Sequence, residues 1–591
     1  MSRRAPGTWR YDLVFGLLLV ALACLSVRLF LLVRHDRPRA VQRARRQQRR
    51  IFRLPARPGH VFARTRGAYV VLAGSERVPS CFADPAIIPD DRMYETAVAV
   101  GRALGRHPRD VLEDLLARRR KRFAWLAREI PAEQARAIRA LDLRAVGIVK
   151  EWRRYYPNGP LASTLLGFRR RDGAPGGGLE LALNTHLAAR DGRRVVLADN
   201  RRRPLYAVDA ESRPARDGRS IYLCLDVYIQ RYLSEALRET VRRFNLPGRT
   251  WAAGVVVEPH TGNVLAMGSV PSFEASDVGP EDLSNAVNRV ISMPFEPGSV
   301  MKPIFAAAAV DAGVVGYDTD IFCENGTFRV PRGGTIGDHG HCFAALSVMD
   351  IVVHSSNIGM AKIGLMLGNA RLYAIARRFG LGEPTGIALP GEDAGILRDL
   401  DRWDTYSTPR IPFGQEMAVT SLQLAMAFSA LINGGELLAP RLVDHIRAPD
   451  GQVVLRTPRR VVRRVISERT SAATREVLRQ VVERGTGKSC KLSRWSSLGK
   501  TGTAQIPGRG GYVDGAYTAT FAGAAPADRP RLLCVISVYW PDPKKGYYGS
   551  TVAAPYVRRV LEQSLEYLDV PGEGRFCPRP TARPAEAVAR R

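Results

Sequence analysis

Cysteine is scarce, with eight residues scattered through 591 and one of them inside an apolar N-terminal run, which excludes a disulfide-dense scaffold. Lysine is scarce too: only nine of the 88 basic residues are lysine, although the formal net charge is +31. Such a balance invites an anionic neighbour, whether lipid, acidic polymer or nucleic acid. The arginines are spread along the whole chain, however, and no zinc-finger, RNA-binding or helix-turn-helix pattern accompanies them. A general arginine-for-lysine bias accounts for most of the charge, and no nucleic-acid partner is expected. No internal repeat is found. GAPGGGLELALN sets glycines before a helix but lacks the lysine and serine of a phosphate loop, so it reads as a linker. The ordinary apolar and charged fractions, 45% and 25%, describe a globular chain long enough for about two to four domains.

One long apolar run is present. Arg3, Arg4 and Arg10 precede YDLVFGLLLVALACLSVRLFLLV, which approaches the roughly 20 residues that span hydrocarbon. Residues 1–12 form a short cytoplasmic tip and 13–33 the transmembrane anchor; Arg28 lies near its far end, where a long side chain snorkels. No A-x-A cleavage site follows, so the segment reads as retained. Leu22-Ala23-Cys24 only half resembles a lipoprotein box, and Cys24 reads as membrane filler. The basic linker, residues 34–50, carries more positive charge than the tip, which by the local positive-inside rule would hold the bulk in the cytoplasm. That rule tolerates large translocated domains, and an extracytoplasmic body is the expectation.

Residues 51–220 mix alternating stretches such as HVFARTRGAYVVLAG with charged helical ones such as DVLEDLLARRRKRFAWLAREI. From Ser220 the texture changes: SIYLCLDVYIQRYLSEALRETVRRF reads as strand then helix, and WAAGVVVEPHTGNVLAMGSV as a hairpin closed at HTGN. Helical stretches dominate 300–435. SSLGKTGTAQ, YTATFAGAAPA and RLLCVISVYW read as strands with a turn at ADRP, and TVAAPYVRRVLEQSLEYL as a closing helix. Strands, then helices, then strands and a helix predict an α+β fold, an antiparallel sheet flanked by helices, over 221–570. The Pro-rich tail 571–591 reads as disordered. Cys323 and Cys342 bracket a Gly-rich, hairpin-like segment, CENGTFRVPRGGTIGDHGHC. A disulfide there fits an exported protein. A metal site from Asp338, His339, His341 and Cys342 matches no familiar zinc spacing, and neither metal nor organic cofactor is expected.

The stretch FEPGSVMKPIFAAAAVDAG sets Ser299 and Lys302 at i and i+3 at the start of an apolar helix, on one face. Two readings are open: a helix cap with a snorkelling lysine, or a nucleophile beside its base. Lysine can serve as a base, whereas arginine stays protonated at any working pH. S-x-x-K occurs again at Ser497 to Lys500, but on a strand, where i and i+3 point to opposite faces. Lys500 instead heads Lys500-Thr501-Gly502, a tripeptide expected on the order of 0.05 times in such a chain. Between the two lies Ser355-Ser356-Asn357, the only S-x-N in the sequence. Taken singly, Ser299 is a helix cap, Asn357 a turn residue and Lys500 a solvated strand end. Taken together and in this order, S-x-x-K on a helix, S-x-N on a helical segment and K-T-G on a strand are the signature of penicillin-binding proteins and serine β-lactamases.

The chain resembles a class B penicillin-binding protein, a membrane-anchored peptidoglycan D,D-transpeptidase. RPGHVFARTRG, CFADPAII, RYYPNGPLASTLLGF and GGGLELALN are similar to that family's pedestal motifs, and GVVVEPHTGNVLAMGSVPSF, PADRP and GYYGSTVAAP to its catalytic landmarks, so the likeness runs from the anchor to about residue 565. One departure is RPGHVFARTRG, where the family more often reads R-G-x-I-x-D-R-x-G. The resemblance implies an elongated α+β pedestal (dimerisation-like) domain over 51–220 and a transpeptidase domain over 221–570, held extracytoplasmically by a single span of the bacterial inner membrane. It implies Ser299 as nucleophile, Lys302 as its base, Ser355 as the bridge between Lys302 and Lys500, and Asn357 as the amide that orients Lys302. Thr501, Gly502 and Thr503 would meet the substrate, and the Ser299 and Thr503 N–H groups would form the oxyanion hole. It further implies stem-peptide substrates (a D-Ala-D-Ala donor and an amine acceptor), acylation by β-lactams, a membrane glycosyltransferase partner and other divisome or elongation proteins, with a lean toward division. A D,D-carboxypeptidase, a penicillin-hydrolysing or penicillin-sensing relative, and a non-catalytic wall-synthesis scaffold are the alternatives.

Overall fold

The computed structural model describes residues 8–37, 41–42, 49–170, 172–198, 204–330, 334–338 and 340–573. Arg3 and Arg4, most of the basic linker, His339 and the tail from residue 574 onward lie outside the described residues. The apolar N-terminal run is one helical stretch, Trp9–Arg34, long and apolar enough to cross a membrane and with none of it buried inside the protein. It belongs to a compact unit made of Met1–Arg57 and Ala189–Asp217, whose sheet pairs Arg49–Leu54 with Gly192–Ala198 and Gly192–Ala198 with Pro204–Ala207.

The second compact unit comprises Pro58–Ala188 and Gly218–Arg591. Its five-stranded antiparallel sheet has the order Asn263–Val270, Trp251–Glu258, Leu532–Tyr539, Gly511–Ala525, Leu498–Gly508. These strands read as nearly continuous apolar runs because both faces are covered. Alternate residues go to opposite sides: Ala253, Val255, Val257 and Val535 join one core, while Ala252, Val256, Ile536 and Val538 join the other. The second core is closed by helices Val227–Phe244 and Ala554–Tyr567. The first is filled by the wholly buried and mostly apolar helix Ser421–Ile432 and by helix Lys302–Asp311. Local chemistry sets the ends of these helices. Asp226 accepts from the N–H groups of Tyr228 (3.0 Å) and Ile229 (3.3 Å), and Thr420 with Gln423 forms a reciprocal capping box.

The change of texture at Ser220 does not coincide with a break in the sheet. Strand Ser220–Asp226 pairs in parallel with Val61–Arg64 on one side and antiparallel with Val443–Arg447 on the other. A seven-stranded sheet therefore joins residues from both sides of the change. GGGLELALN, read as a linker, holds a structural centre. Glu180 is fully buried, with Arg154 Nε and Arg169 Nε each at 2.6 Å and Tyr156 Oη at 3.4 Å. A carboxylate between two buried guanidinium groups is held in place by what its loss would expose. Cys323 is buried and Cys342 exposed, both as free thiols, so the disulfide that suits an exported chain is not formed. The segment between them is the hairpin expected, Thr327–Val330 against Gly334–Gly337. Glu180→Ala should lower the stability of the Pro58–Ala188 region by about 3–5 kcal/mol, because two buried cations lose their partner; denaturant unfolding followed by hydrogen exchange in that region measures it.

Candidate active site

The nucleophile turn begins with two constraints. Phe295 is bonded both ways to Val419 (3.0 and 2.9 Å), and Gly298 N donates to Gly414 O at 3.0 Å. Gly298 has φ +61°, and a β-carbon there would lie 3.0 Å from Thr503 O, so only glycine brings the turn this close to the K-T-G strand. Ser299 then lies in a short 3₁₀ turn, Gly298–Met301, and the α-helix proper starts at Lys302. The Ser299 hydroxyl neither caps the helix nor makes any hydrogen bond among the described residues; it lines a cleft of about 480 Å³.

Lys302 is fully buried and points at the S-x-N segment. Its Nζ donates to Ser355 O, to Asn357 Oδ1 at 2.7 Å, and lies 3.2 Å from Ser355 Oγ. Ser355 holds φ +66°, a conformation rare for a residue with a side chain, at the end of helix Val348–His354. Ser356 opens the next helix, its hydroxyl accepting from Gly359 N at 3.0 Å. This break between helices delivers the Ser355 carbonyl and hydroxyl to the two lysines. Lys500, also fully buried, donates to the same Ser355 Oγ at 3.0 Å and to Thr501 O at 3.2 Å. One hydroxyl therefore sits between two amines. Burial, then the charge of Lys500, drives Lys302 well below its ordinary 10.5, partly offset by Asp338; burial pushes Lys500 down to about 7. A neutral Lys302 spends two N–H groups on Ser355 O and Asn357 Oδ1, leaving a lone pair able to take a hydroxyl proton.

The structure thus gathers Lys302, Ser355, Asn357 and Lys500 into one network beside Ser299. Thr501 and Thr503 line the cleft with it. Thr501 Oγ1 is 2.9 Å from Thr486 Oγ1, and Thr503 Oγ1 accepts from Gly549 N at 3.1 Å. Gly502 packs on the nucleophile turn: a β-carbon there would be 2.6 Å from Pro297 O, which explains the glycine of K-T-G. Lys500 itself is fully buried, whereas Thr501 and Thr503 line the cleft. Ser497, head of the second S-x-x-K, is buried and donates to Cys490 O at 2.9 Å, apart from this network.

Sequence reading gave Asp338 no part in this site. Its carboxylate accepts from Ser356 Oγ (2.6 Å), Asn357 N (2.6 Å) and Ile358 N (3.0 Å), fixing the S-x-N turn and the start of the helix behind it. Asn357 Nδ2 in turn donates to Gly337 O at 3.0 Å, so the amide whose oxygen accepts from Lys302 is also tied to the hairpin. No group of three or more His, Cys, Asp or Glu in position to hold a metal occurs among the described residues. Tyr517, Tyr547 and Tyr548, stacked at 4.4 and 4.3 Å, form an aromatic wall at the cleft. Tyr547 and Tyr548 belong to GYYGSTVAAP, a stretch similar to the family's catalytic landmarks, but their stacking with Tyr517 joins a strand and a loop that meet only in the fold.

Known proteins resemble this chain along most of its length. The family model described as the penicillin-binding protein transpeptidase domain matches residues 252–562, and that of the penicillin-binding protein dimerisation domain matches 54–174. The chain is 32% identical to the probable peptidoglycan D,D-transpeptidase PenA of Neisseria gonorrhoeae, over 88% of this chain and 85% of that one. It is also 32% identical to the penicillin-binding protein PbpB of Mycolicibacterium smegmatis, over 84% and 77%. Among solved structures, penicillin-binding protein 3 of Mycobacterium tuberculosis in complex with aztreonam superposes with a TM-score of 0.68 at 26% identity, covering 88% of this chain and 98% of that one.

Lys302→Arg keeps a cation but removes the one amine of the pair whose spare lone pair could take a hydroxyl proton. Covalent labelling of the purified full chain by a fluorescent penicillin should slow by about 10²–10⁴-fold. In the unaltered protein the labelling rate should fall as pH drops below neutrality and the lysine pair gains protons.

Proposed function

This chain belongs to the penicillin-binding protein transpeptidase family, and from that premise we propose that it is a peptidoglycan D,D-transpeptidase working through a Ser299 acyl-enzyme. The observation that carries the reading is the Ser355 hydroxyl held between two fully buried lysines beside an unengaged Ser299 hydroxyl. Ser299 Oγ attacks the carbonyl of the penultimate D-alanine in a stem peptide, and its proton passes to Lys302 Nζ. The Ser299 and Thr503 N–H groups hold the developing oxyanion. The C–N bond then breaks, and the departing D-alanine amine takes a proton through Ser355, with Lys500 recharging the relay. Asn357 keeps Lys302 oriented throughout, while Thr501, Gly502 and Thr503 bind the donor. An amine of a neighbouring stem peptide attacks the ester, forms the crosslink and returns the proton that restores Ser299. β-Lactams replace the donor and acylate the same oxygen.

On this reading residues 51–220 serve as the pedestal and 221–570 as the transpeptidase domain, anchored in the inner membrane by the N-terminal helix and facing away from the cytoplasm. The relatives' printed names support wall synthesis, and overall resemblance to the family is what favours a division role beside a membrane glycosyltransferase. Membranes containing the full chain should give a covalent fluorescent-penicillin band that Ser299→Ala abolishes. A band that persists in that variant would sink the reading, and rapid turnover of the label would mark a hydrolase instead.

A further inference from the structure

Glu296 is an acid that the proposed chemistry does not use. It lies three residues before Ser299 and is half-buried, with no ion pair to a cation among the described residues. Its two carboxylate oxygens are committed to two different walls of the cleft. Oε1 accepts from Glu416 N at 3.0 Å, in the loop whose Phe413 and Gln415 line the cleft. Oε2 accepts from Tyr512 Oη at 3.0 Å. Tyr512 sits near the tip of the hairpin formed by Leu498–Gly508 and Gly511–Ala525, opposite Pro507, and this is the hairpin that carries Lys500 to Thr503. Glu416 is itself held in a φ +62° conformation, its side chain fixed by Arg398 and by Ser407 Oγ at 2.7 Å, with Arg410 at 3.9 Å. Strained backbone and an unneutralised acid at a cleft wall are both marks of functional rather than structural placement.

We infer that Glu296 is a positioning residue that fastens the K-T-G hairpin tip and the 413–416 loop to the nucleophile turn, so that its protonation sets how closely the cleft is held around Ser299. The inference rests on the acyl-transfer reading above and extends it. The charged and titratable groups facing Glu296 are Tyr512 from the hairpin and Glu416 and Arg410 from the loop side. Burial is the largest influence and raises the carboxyl to about 7; Glu416 adds to the rise, while the Glu416 N–H, the Tyr512 hydroxyl and Arg410 oppose it. The fastened arrangement therefore holds its proton more tightly than a hydrated glutamate does. Its stability is full below the ordinary value near 4.5 and declines as pH rises through about 7. Ionisation loosens the hairpin, because release lets water reach the carboxylate.

The test uses the full chain in nanodiscs, labelled by fluorescent penicillin from pH 5.5 to 8.5, in unaltered, Glu296→Gln, Tyr512→Phe and Ser299→Ala forms. The ratio of the Glu296→Gln rate to the unaltered rate should climb by roughly three-fold or more across pH 7, since the amide cannot ionise. Tyr512→Phe should leave amide exchange over residues 507–514 quick at every pH, because the phenol hydrogen bond that fastens the hairpin tip to Glu296 is lost. Amide exchange over residues 507–514 should quicken above pH 7 in the unaltered chain and not in Glu296→Gln. A ratio constant at every pH, or exchange over residues 507–514 that still quickens above pH 7 in Tyr512→Phe as it does in the unaltered chain, would overturn the inference; should Glu296→Gln fail to fold, the Tyr512→Phe exchange decides alone. Labelling that survives Ser299→Ala would instead remove the acyl-transfer reading beneath it.

Discussion

The Ser355 hydroxyl, 3.2 Å from Lys302 Nζ and 3.0 Å from Lys500 Nζ, is the contact on which the site depends. Two amines cannot both remain protonated at that separation inside a dry interior without a large electrostatic penalty. The protein accepts the conflict and directs it: burial lowers both lysines, and the carbonyl of Ser355 and the amide oxygen of Asn357 occupy the N–H groups of Lys302. A buried amine with a spare lone pair next to a serine is the chemistry that results.

Each member of that network is delivered by a different structural device. The nucleophile turn is pulled against the sheet edge by two glycine contacts, Gly298 on Thr503 and Gly502 on Pro297. The S-x-N turn is a break between helices, closed by the Asp338 carboxylate with three hydrogen bonds. The K-T-G strand is the outermost of five, so one side of its backbone faces the cleft instead of a neighbouring strand. Two apolar cores, one on each face of the sheet, hold these devices in register. The site can therefore tolerate strained backbone at Ser355 and Glu416, because the surrounding packing fixes both.

Much of this was legible in the residues. The strands, the HTGN turn and the helical character of residues 300–435 follow from short-range patterning, which is carried by the residues themselves. The three motifs were legible because spacing along a helix or strand converts directly into a shared face. Asp338 was weighed in the sequence only as a member of an unfamiliar metal-ligand set, and its observed contacts depend on a hairpin folding back onto a helix start. Glu296 stood beside the nucleophile in the sequence, yet its partners lie 120 and 216 residues away. The texture change at Ser220 suggested a boundary, but strand pairing between Val61–Arg64 and Ser220–Asp226 carries the sheet across it.

By itself the sequence determined the apolar anchor helix, the α+β character of the body and the identity of the serine and lysines able to do acyl-transfer chemistry, because these rest on composition and on periodicities of a few residues. Tertiary structure alone decided that both lysines are stripped of water and converge on one hydroxyl, and that an acid, a tyrosine and a strained loop clasp the cleft walls. Desolvation and convergence are properties of what surrounds a side chain, and in this chain the partners of the two lysines lie 53, 55 and 145 residues away.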